Sequence, residues 1–199
     1  MRKIQVTRKT KETDITVKLN IDGSGKAKIS TGIGILDHML ELFAFHGLFD
    51  LEIAAIGDLK IDIHHTNEDI GIVLGQAFKK ALGDKKGISR SANFSWPMEE
   101  VLATVALDIS GRGSFKLKKQ QFLVQPLAQD GYALKDAQHF FESFAKHLGM
   151  DLNITIEPLV SDLHTSLEPV FKALGKALDE ATQIDPRRKG IPSTKGVID

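Results

Sequence analysis

HMLELFAFHGLFDLEI, residues 38–53, returns as HFFESFAKHLGMDLNI at residues 139–154, and this repeat predicts the organisation of the whole chain. Eight of the sixteen aligned positions are identical at a constant offset of 101. Two unrelated amphipathic helices would not share that many residues. The repeat continues at an offset of 100, where five residues of the first copy recur in the second: His64, Glu68, Leu74, Gly75 and Ala77. A repeat of this length indicates two copies of one structural unit.

Both copies show the same succession of local patterns. An alternating strand-like stretch (15–20; 101–109) leads through a glycine turn to a second strand. Apolar residues at helical spacing then predict a helix, which is followed by a short strand and a second helix. In the first copy these three elements are expected at 36–45, 51–56 and 69–82, and in the second copy at 137–148, 152–156 and 168–182. We therefore predict an α+β fold with a duplicated strand-strand-helix-strand-helix unit. Two sheets would pack on a central layer of helices.

The length and composition limit the number of domains and the classes of partner. A chain of 199 residues that is 42% apolar can bury one sizeable core, so residues 1–95 and 96–199 are predicted to be two halves of one compact domain, with the C-terminal tail in the second half. Lysine plus arginine equals aspartate plus glutamate at 26 each, so we expect no nucleic-acid or membrane partner. Without cysteine or an apolar run of ~20 residues, we expect a soluble, cytoplasmic protein.

Histidine and glutamate recur in the repeated elements at spacings that suit a metal ion. His64 and Glu68 are four residues apart, as are His164 and Glu168, so each pair can lie on one face of a helix. His65 is rotated about 100° from His64, so the two would serve different ions. With imidazole and carboxylate ligands and no sulfur, manganese, zinc, iron and cobalt all remain candidates.

The chain resembles the imidazoleglycerol-phosphate dehydratase family in a series of blocks that run in order from about residue 7 to residue 196. They are RKTKETDI, IDGSGKAKISTGIGILDHML, HGLFDLEI, GDLKIDIHHTNEDIGIVLGQAF, ALGDKKGISR, PMEEVLATVALDISGR, HFFESFA, FKALGKAL and PSTKG. The resemblance implies fused sheet-and-helix halves, two manganese ions at subunit boundaries and a homo-oligomeric shell of 24 subunits. It also implies a small phosphorylated imidazole as the substrate.

The same resemblance assigns roles to individual residues. The metal ligands would be His38, His64, His65, Glu68, His139, His164 and Glu168. Phosphate would be bound by Arg90, Arg112, Ser193 and Lys195, whose guanidinium, hydroxyl and ammonium groups suit an anion. Glu12 would be the acid/base group, and the residues predicted to take part in catalysis are Glu12, His65 and Glu168. His46 would approach the substrate, whereas its repeat counterpart His147 would be structural.

The chain departs from the family pattern in its second half. The motif that should read His-His-x-x-Glu is His164-Thr165-Ser166-Leu167-Glu168, so one of the two manganese ions would be weakly bound or absent. Further departures replace side chains that could support ligands or substrate: Leu42, Ile63, Leu134 and Asn153. Pro169 directly follows Glu168, which predicts that Glu168 precedes the regular part of its helix.

The implied reaction is the loss of water from imidazoleglycerol phosphate to give imidazole acetol phosphate, in histidine biosynthesis. As a hypothesis, two metal ions lower the N–H pKa of the imidazole, and the electron-rich ring expels the neighbouring hydroxyl. Glu12 takes or relays the proton, and the enol becomes the ketone. Two alternatives stay open: a non-catalytic or repurposed member that keeps the shell and part of the metal site, and a lyase for a related phosphorylated substrate.

Overall fold

The computed structural model describes residues 2–121 and 127–198, and the elements of its first half form one four-stranded sheet with two helices. The strands lie in the order β1-β2-β4-β3. Strand β4 is antiparallel to β2 and parallel to β3. The elements are β1 (Lys3–Lys9), β2 (Thr13–Asn20), β3 (Ala27–Ser30), α1 (Gly34–His46), β4 (Asp50–Gly57) and α2 (Ile63–Leu82).

The second half repeats this topology. Its sheet has the order β5-β6-β10-β7, in which β10 is antiparallel to β6 and parallel to β7. The elements are β5 (Ser91–Met98), β6 (Val101–Asp108), β7 (Ser114–Gln121), α3 (Leu134–Leu148), β10 (Asp151–Leu159) and α4 (Leu163–Thr182), with a short hairpin of β8 (Ala128–Gln129) and β9 (Tyr132–Ala133) before α3. The α+β class and the internal duplication predicted from the sequence are confirmed.

The short β8–β9 hairpin of the second half was not indicated by the sequence pattern. Each four-stranded sheet also contains one strand more than the pattern indicated, namely β1 and β5. Both strands lie at the edge of their sheet and alternate exposed with half-buried residues, apart from the buried Val6 of β1, so they lack the strong apolar alternation that marks a central strand. The boundary predicted after residue 95 falls within β5, which pairs with β6 of the second sheet. The division of the domain at that residue stays a prediction.

Helices α2 and α4 begin earlier than the periodicity suggested, at Ile63 and Leu163. Each is preceded by an aspartate that caps its first turn: Asp62 accepts from the His64 N–H, and Asp162 from the Thr165 N–H. The prediction that Glu168 precedes the regular helix is therefore wrong. Pro169 lies inside α4, where it removes the hydrogen bond that the Thr165 carbonyl would otherwise accept.

The four helices form a layer between the sheets and pack in two pairs, α2 on α3 and α1 on α4. Two repeat-equivalent glycines allow this close contact. A Cβ atom on Gly75 would lie 2.7 Å from the Phe144 carbonyl oxygen, and one on Gly175 would lie 2.6 Å from that of Phe43. Because Phe43 and Phe144 are themselves repeat equivalents, exchanging the two halves maps one helix pair onto the other. The helix layer thus has internal pseudo-twofold symmetry.

Both sheets turn an apolar face towards the helices, and one continuous core runs through the two halves. The buried rings of Phe43 and Phe144 meet edge to face near its centre, with their centroids 6.1 Å apart. Among the described residues, no helix combines the length and the apolar character that crossing a membrane requires.

Candidate functional site

The first cluster consists of His38 on α1 with His164 and Glu168 on α4. Glu168 Oε2 lies 2.8 Å from His164 Nε2 and 3.4 Å from His38 Nε2. The two imidazole rings stack with centroids 5.0 Å apart. One ligand atom from each of the three residues lies within 4.8 Å of the others. These distances allow two imidazole nitrogens and one carboxylate oxygen to share a single cation.

The second cluster consists of His64 and Glu68 on α2 with His139 on α3. His64 Nε2 lies 3.3 Å from Glu68 Oε2, and its Nδ1 lies 3.0 Å from His139 Nδ1. The three side chains line a small cavity of about 210 Å³, whose other walls include Lys146 and His147. The donor set is the same as in the first cluster.

The duplication relates the two clusters. His38 matches His139 at the offset of 101, and the two His-x-x-x-Glu pairs match at the offset of 100. Each cluster takes one histidine from the first helix of one half and its histidine and glutamate from the second helix of the other half. Neither half alone therefore contains a complete cluster. The internal symmetry of the helix layer creates both.

His65 belongs to neither cluster. Its Nδ1 lies 3.0 Å from Asp58 Oδ2 and 4.0 Å from Glu12 Oε2, and these three residues form a separate group. The hydrogen bond to the Asp58 carboxylate is the main reason why the pKa of His65 lies above its usual value. Of the seven predicted ligands, the structure gathers six into the two clusters and leaves His65 apart.

Thr165 occupies the repeat position of His65, but it takes part in a helix cap. Its backbone N–H donates to Asp162 Oδ1 at 2.6 Å. This bond and the Thr165 hydroxyl lower the pKa of Asp162. The second half therefore provides no imidazole that corresponds to His65.

Glu12 lies in the turn between β1 and β2, and its carboxylate is more than half exposed. The Thr10 hydroxyl accepts the Glu12 N–H at 3.1 Å, and the Asp58 N–H donates to the Glu12 carbonyl at 3.1 Å. Thr13, the first residue of β2 after this turn, donates its hydroxyl to Asp69, which also pairs with Arg8. The turn that carries Glu12 is thus attached to α2 next to the second cluster.

The predicted phosphate-binding residues lie outside the helices that carry the clusters, just before β5, between β6 and β7, and in the C-terminal tail. Arg90 forms a two-pronged ion pair with Asp108, at 2.6 and 2.9 Å, and donates to the Pro192 carbonyl at 2.9 Å, next to Ser193. The Arg112 side chain is 69% exposed, and its Nη2 lies 3.9 Å from Asp151 Oδ2. Lys195 lies two residues after Ser193 in the tail, and its backbone N–H donates to the Ser193 hydroxyl at 3.2 Å.

Asp108 and Asp151 are cross-strand partners, which joins the neighbourhoods of the two arginines. The hydroxyls of Ser114 and Ser110 chiefly lower the pKa of Asp151, and the charges of Arg112 and Arg90 lower it further. The two arginines thus share two carboxylates beside the tail serine, and the exposed Arg112 guanidinium is the group there that an anion can reach.

Lys172 and Trp96 extend the first cluster, and the sequence patterns did not single them out. Lys172 Nζ lies 2.5 Å from Glu168 Oε1 and 5.7 Å from the centre of the Trp96 ring. Burial opposes ionisation of Glu168, but hydrogen bonds from Lys172 and His38 bring its pKa below the usual value. The spacing of four between Glu168 and Lys172 was the available signal for this pair.

His46 also contacts Trp96, with the ring centroids 4.7 Å apart. Burial, followed by the charges of Lys172 and Lys176, lowers the pKa of His46. A neutral imidazole at this position can accept or donate a hydrogen bond. His147 binds the Ser143 carbonyl through Nδ1 at 2.9 Å, a structural contact within α3.

The chain is similar over its length to known imidazoleglycerol-phosphate dehydratases. A family model with that description matches residues 31–178. A protein of that name from Thermoanaerobacter pseudethanolicus is 51% identical over 201 aligned residues, which cover 100% of both chains. One from Caldanaerobacter subterraneus subsp. tengcongensis is 52% identical, also with 100% of each chain covered.

Two crystal structures with the same name have the same fold. The structure from Staphylococcus aureus has a TM-score of 0.78 and 31% identity, over 91% of this chain and 98% of that one. The structure from Pyrococcus furiosus, in complex with (S)-C348, has a TM-score of 0.78 and 35% identity, over 96% and 99% of the two chains.

Proposed function

The chain belongs to the imidazoleglycerol-phosphate dehydratase family, and on this basis we propose that it is a hydro-lyase that converts imidazoleglycerol phosphate to imidazole acetol phosphate in histidine biosynthesis. The observation that carries the proposal is the pair of His-His-Glu clusters related by the duplication. The imidazole ring of this substrate has two nitrogens, and two repeat-related clusters offer one cation site for each of them. A cytoplasmic location fits such a biosynthetic enzyme.

Manganese is the proposed cofactor, with one ion for each cluster. The donors fit a divalent cation, because each cluster offers two imidazole nitrogens and one carboxylate and has no sulfur. The lowered pKa of Glu168 supports this assignment, since an ionised carboxylate is the ligating form. When bound, the ions supply the positive charge that favours the anionic form of the substrate imidazole.

A second copy of the chain is the proposed partner. His65 binds Asp58 through Nδ1, so its Nε2 is the nitrogen that remains for a metal, although neither cluster of its own protomer includes it. We infer that His65 completes a cluster of a neighbouring copy in a homo-oligomer, with 24 subunits by family resemblance. Ile56 and Ile61, next to Asp58, are 78% and 76% exposed, which supports an apolar contact there.

The remaining roles follow from the chemistry of the side chains. Glu12 is exposed, close to His65 and held by its turn, so it can take a carbon-bound proton from a substrate bound beside His65. Arg112, Ser193 and Lys195 can bind the phosphate, with Arg90 fixing the tail at Pro192. Loss of the hydroxyl and of that proton gives an enol, which becomes the ketone.

Thr165 supports a second candidate function. Without an imidazole at that position, one ion of each pair has a ligand fewer than the first-half motif would provide. A repurposed member of the family that keeps the assembly and one metal would show this change. A lyase for a related phosphorylated substrate would fit the altered residues Leu42 and Asn153.

A turnover assay tests the proposal. The protein is stripped of metal with a chelator, then given manganese and imidazoleglycerol phosphate, while metal per chain and particle mass are measured. We expect turnover that depends on added manganese, from a large symmetric oligomer. Manganese binding without turnover would favour the repurposed member, and a monomer in light scattering would contradict the shared site.

A further inference from the structure

Asp58 connects two residues of the proposed site. It lies between β4 and α2, and its side chain is only 19% exposed. Its backbone N–H donates to the Glu12 carbonyl at 3.1 Å, while its carboxylate oxygens lie 3.0 and 3.3 Å from Nδ1 of His65. One residue therefore contacts both the proposed acid/base group and a proposed ligand.

The Asp58 carboxylate determines which nitrogen of His65 carries the proton. An ionised carboxylate only accepts hydrogen bonds, so Nδ1 of a neutral His65 must be the donor and Nε2 must carry the free lone pair. Glu12 Oε2 lies 4.0 Å from the same Nδ1, at the edge of pairing distance. If Asp58 were absent, Glu12 would become the nearest carboxylate to that nitrogen.

We propose that Asp58 is a positioning residue, which presents Nε2 of His65 to the metal and keeps the Glu12 carboxylate free for proton transfer. The inference rests on the proposed function, because it assumes that His65 ligates a cation. Loss of a carboxylate that orients a ligating histidine in this way typically lowers metal affinity or activity by about 10–100-fold.

The second half supports the coupling between the two side chains. The positions that correspond to Asp58 are Pro158 or Leu159, depending on where the single-residue offset is taken, and Thr165 replaces His65. Where the histidine is missing, the carboxylate is missing too. The Asp58–His65 pair is therefore a feature of the first half alone.

The test compares four variants of the full-length protein by manganese titration, followed by the electron paramagnetic resonance signal of free Mn²⁺, and by kcat and KM. Asp58→Ala should weaken one class of manganese site and lower kcat, each by roughly 10–100-fold. Asp58→Asn should retain more manganese affinity and more kcat than Asp58→Ala, because its amide oxygen still accepts a hydrogen bond from Nδ1.

Asp62→Ser is the matched control, because it removes a nearby charge but keeps the helix cap. Its manganese affinity and kcat should stay within about twofold of the unmodified protein. His65→Ala should weaken the same class of site as Asp58→Ala.

The outcomes separate this inference from the proposed function. If the unmodified protein shows no turnover and His65→Ala leaves manganese binding unchanged, the proposed function fails. If His65→Ala weakens binding but Asp58→Ala matches Asp62→Ser, the positioning role is wrong while the function stands. Equal losses in Asp58→Ala and Asp58→Asn would also contradict it, because a hydrogen-bond acceptor would then be insufficient to orient the ring.

Discussion

The first cluster (His38, His164, Glu168) and the second (His64, Glu68, His139) share their donor types but differ around the carboxylate. The Glu168 side chain is 13% exposed and pairs with Lys172, whereas that of Glu68 is 44% exposed, and Ile72 stands at the repeat position of Lys172. A buried carboxylate needs a partner to remain ionised, and Lys172 provides it. Duplication therefore preserved the ligands while allowing their surroundings to diverge.

The largest difference between the two clusters is expected when the carboxylate ligand of each is removed. Glu168→Ala and Glu68→Ala should each lower kcat/KM by more than about 100-fold, since a direct ligand should matter more than its outer partners. The loss of bound manganese should be greater for Glu168→Ala, because Lys172 is left as an unbalanced cation beside the site. Glu180→Ala, at an exposed position of α4, is the control. Metal analysis and steady-state kinetics would check this, and equal metal content in all three variants would contradict the ligand assignment.

The two glycine contacts test whether the helix pairs are as alike as the symmetry implies. Gly75→Ala and Gly175→Ala should each lower the free energy of unfolding by about 1–3 kcal/mol, because the new methyl group would meet a backbone oxygen. Gly34→Ala should not destabilise, since nothing lies within 4 Å of its Cβ position. Denaturant titration would measure all three. A large loss in only one of the first two variants would show that the helix pairs are not equivalent.

Restoring the missing imidazole with Thr165→His should make the two halves more alike, but it should change manganese affinity less than loss of a carboxylate ligand does. Unmodified protein should show one tighter and one weaker class of manganese site, and Thr165→His should strengthen the weaker class by about tenfold and raise turnover, since an imidazole replaces a poor ligand. Thr165→Val, which adds no ligand, should not strengthen binding. Two equally tight classes in the unmodified protein would mean that another residue supplies the ligand.

The smallest expected difference concerns Asp50 and Asp151, the repeat-equivalent aspartates that begin β4 and β10. Hydrogen bonds, first of all from the Ser24 N–H, lower the pKa of Asp50 to about 2, and the Ser114 hydroxyl chiefly lowers that of Asp151. A lowered pKa in the folded state stabilises it above the unfolded pKa, near 4, and this contribution is lost as the pH falls towards 2. Asp50→Asn should therefore flatten the acid dependence of stability more than Asp151→Asn. Thermal unfolding between pH 2.5 and 6 would measure it, and steeper curves for either variant would contradict the assignment.

The sequence was sufficient for the duplication, the α+β class and the helical pairs of histidine and glutamate, because these depend on spacing within one element. The capping aspartates Asp62 and Asp162, themselves 100 residues apart, could have given the starts of α2 and α4. Strands β1 and β5 were missed because edge strands carry little apolar alternation.

Two features of the site could not be read from spacing. His38 meets Glu168 across 130 residues, and a repeat alone does not say whether its elements pair within one half or between halves. Asp58 is seven residues before His65, on a connection without periodicity, so no pattern relates its carboxylate to that imidazole. Both contacts depend on the way in which the sheets and helices dock.

The division of each cluster between the halves has an evolutionary consequence. A chain with one unit could form such a cluster only by pairing with a second copy of itself, and both clusters of that homodimer would be identical. Any substitution would then alter both at once. In the fused chain the two positions mutate independently, so Thr165 can differ from His65, and Lys172 from Ile72, while the other cluster keeps its own residues.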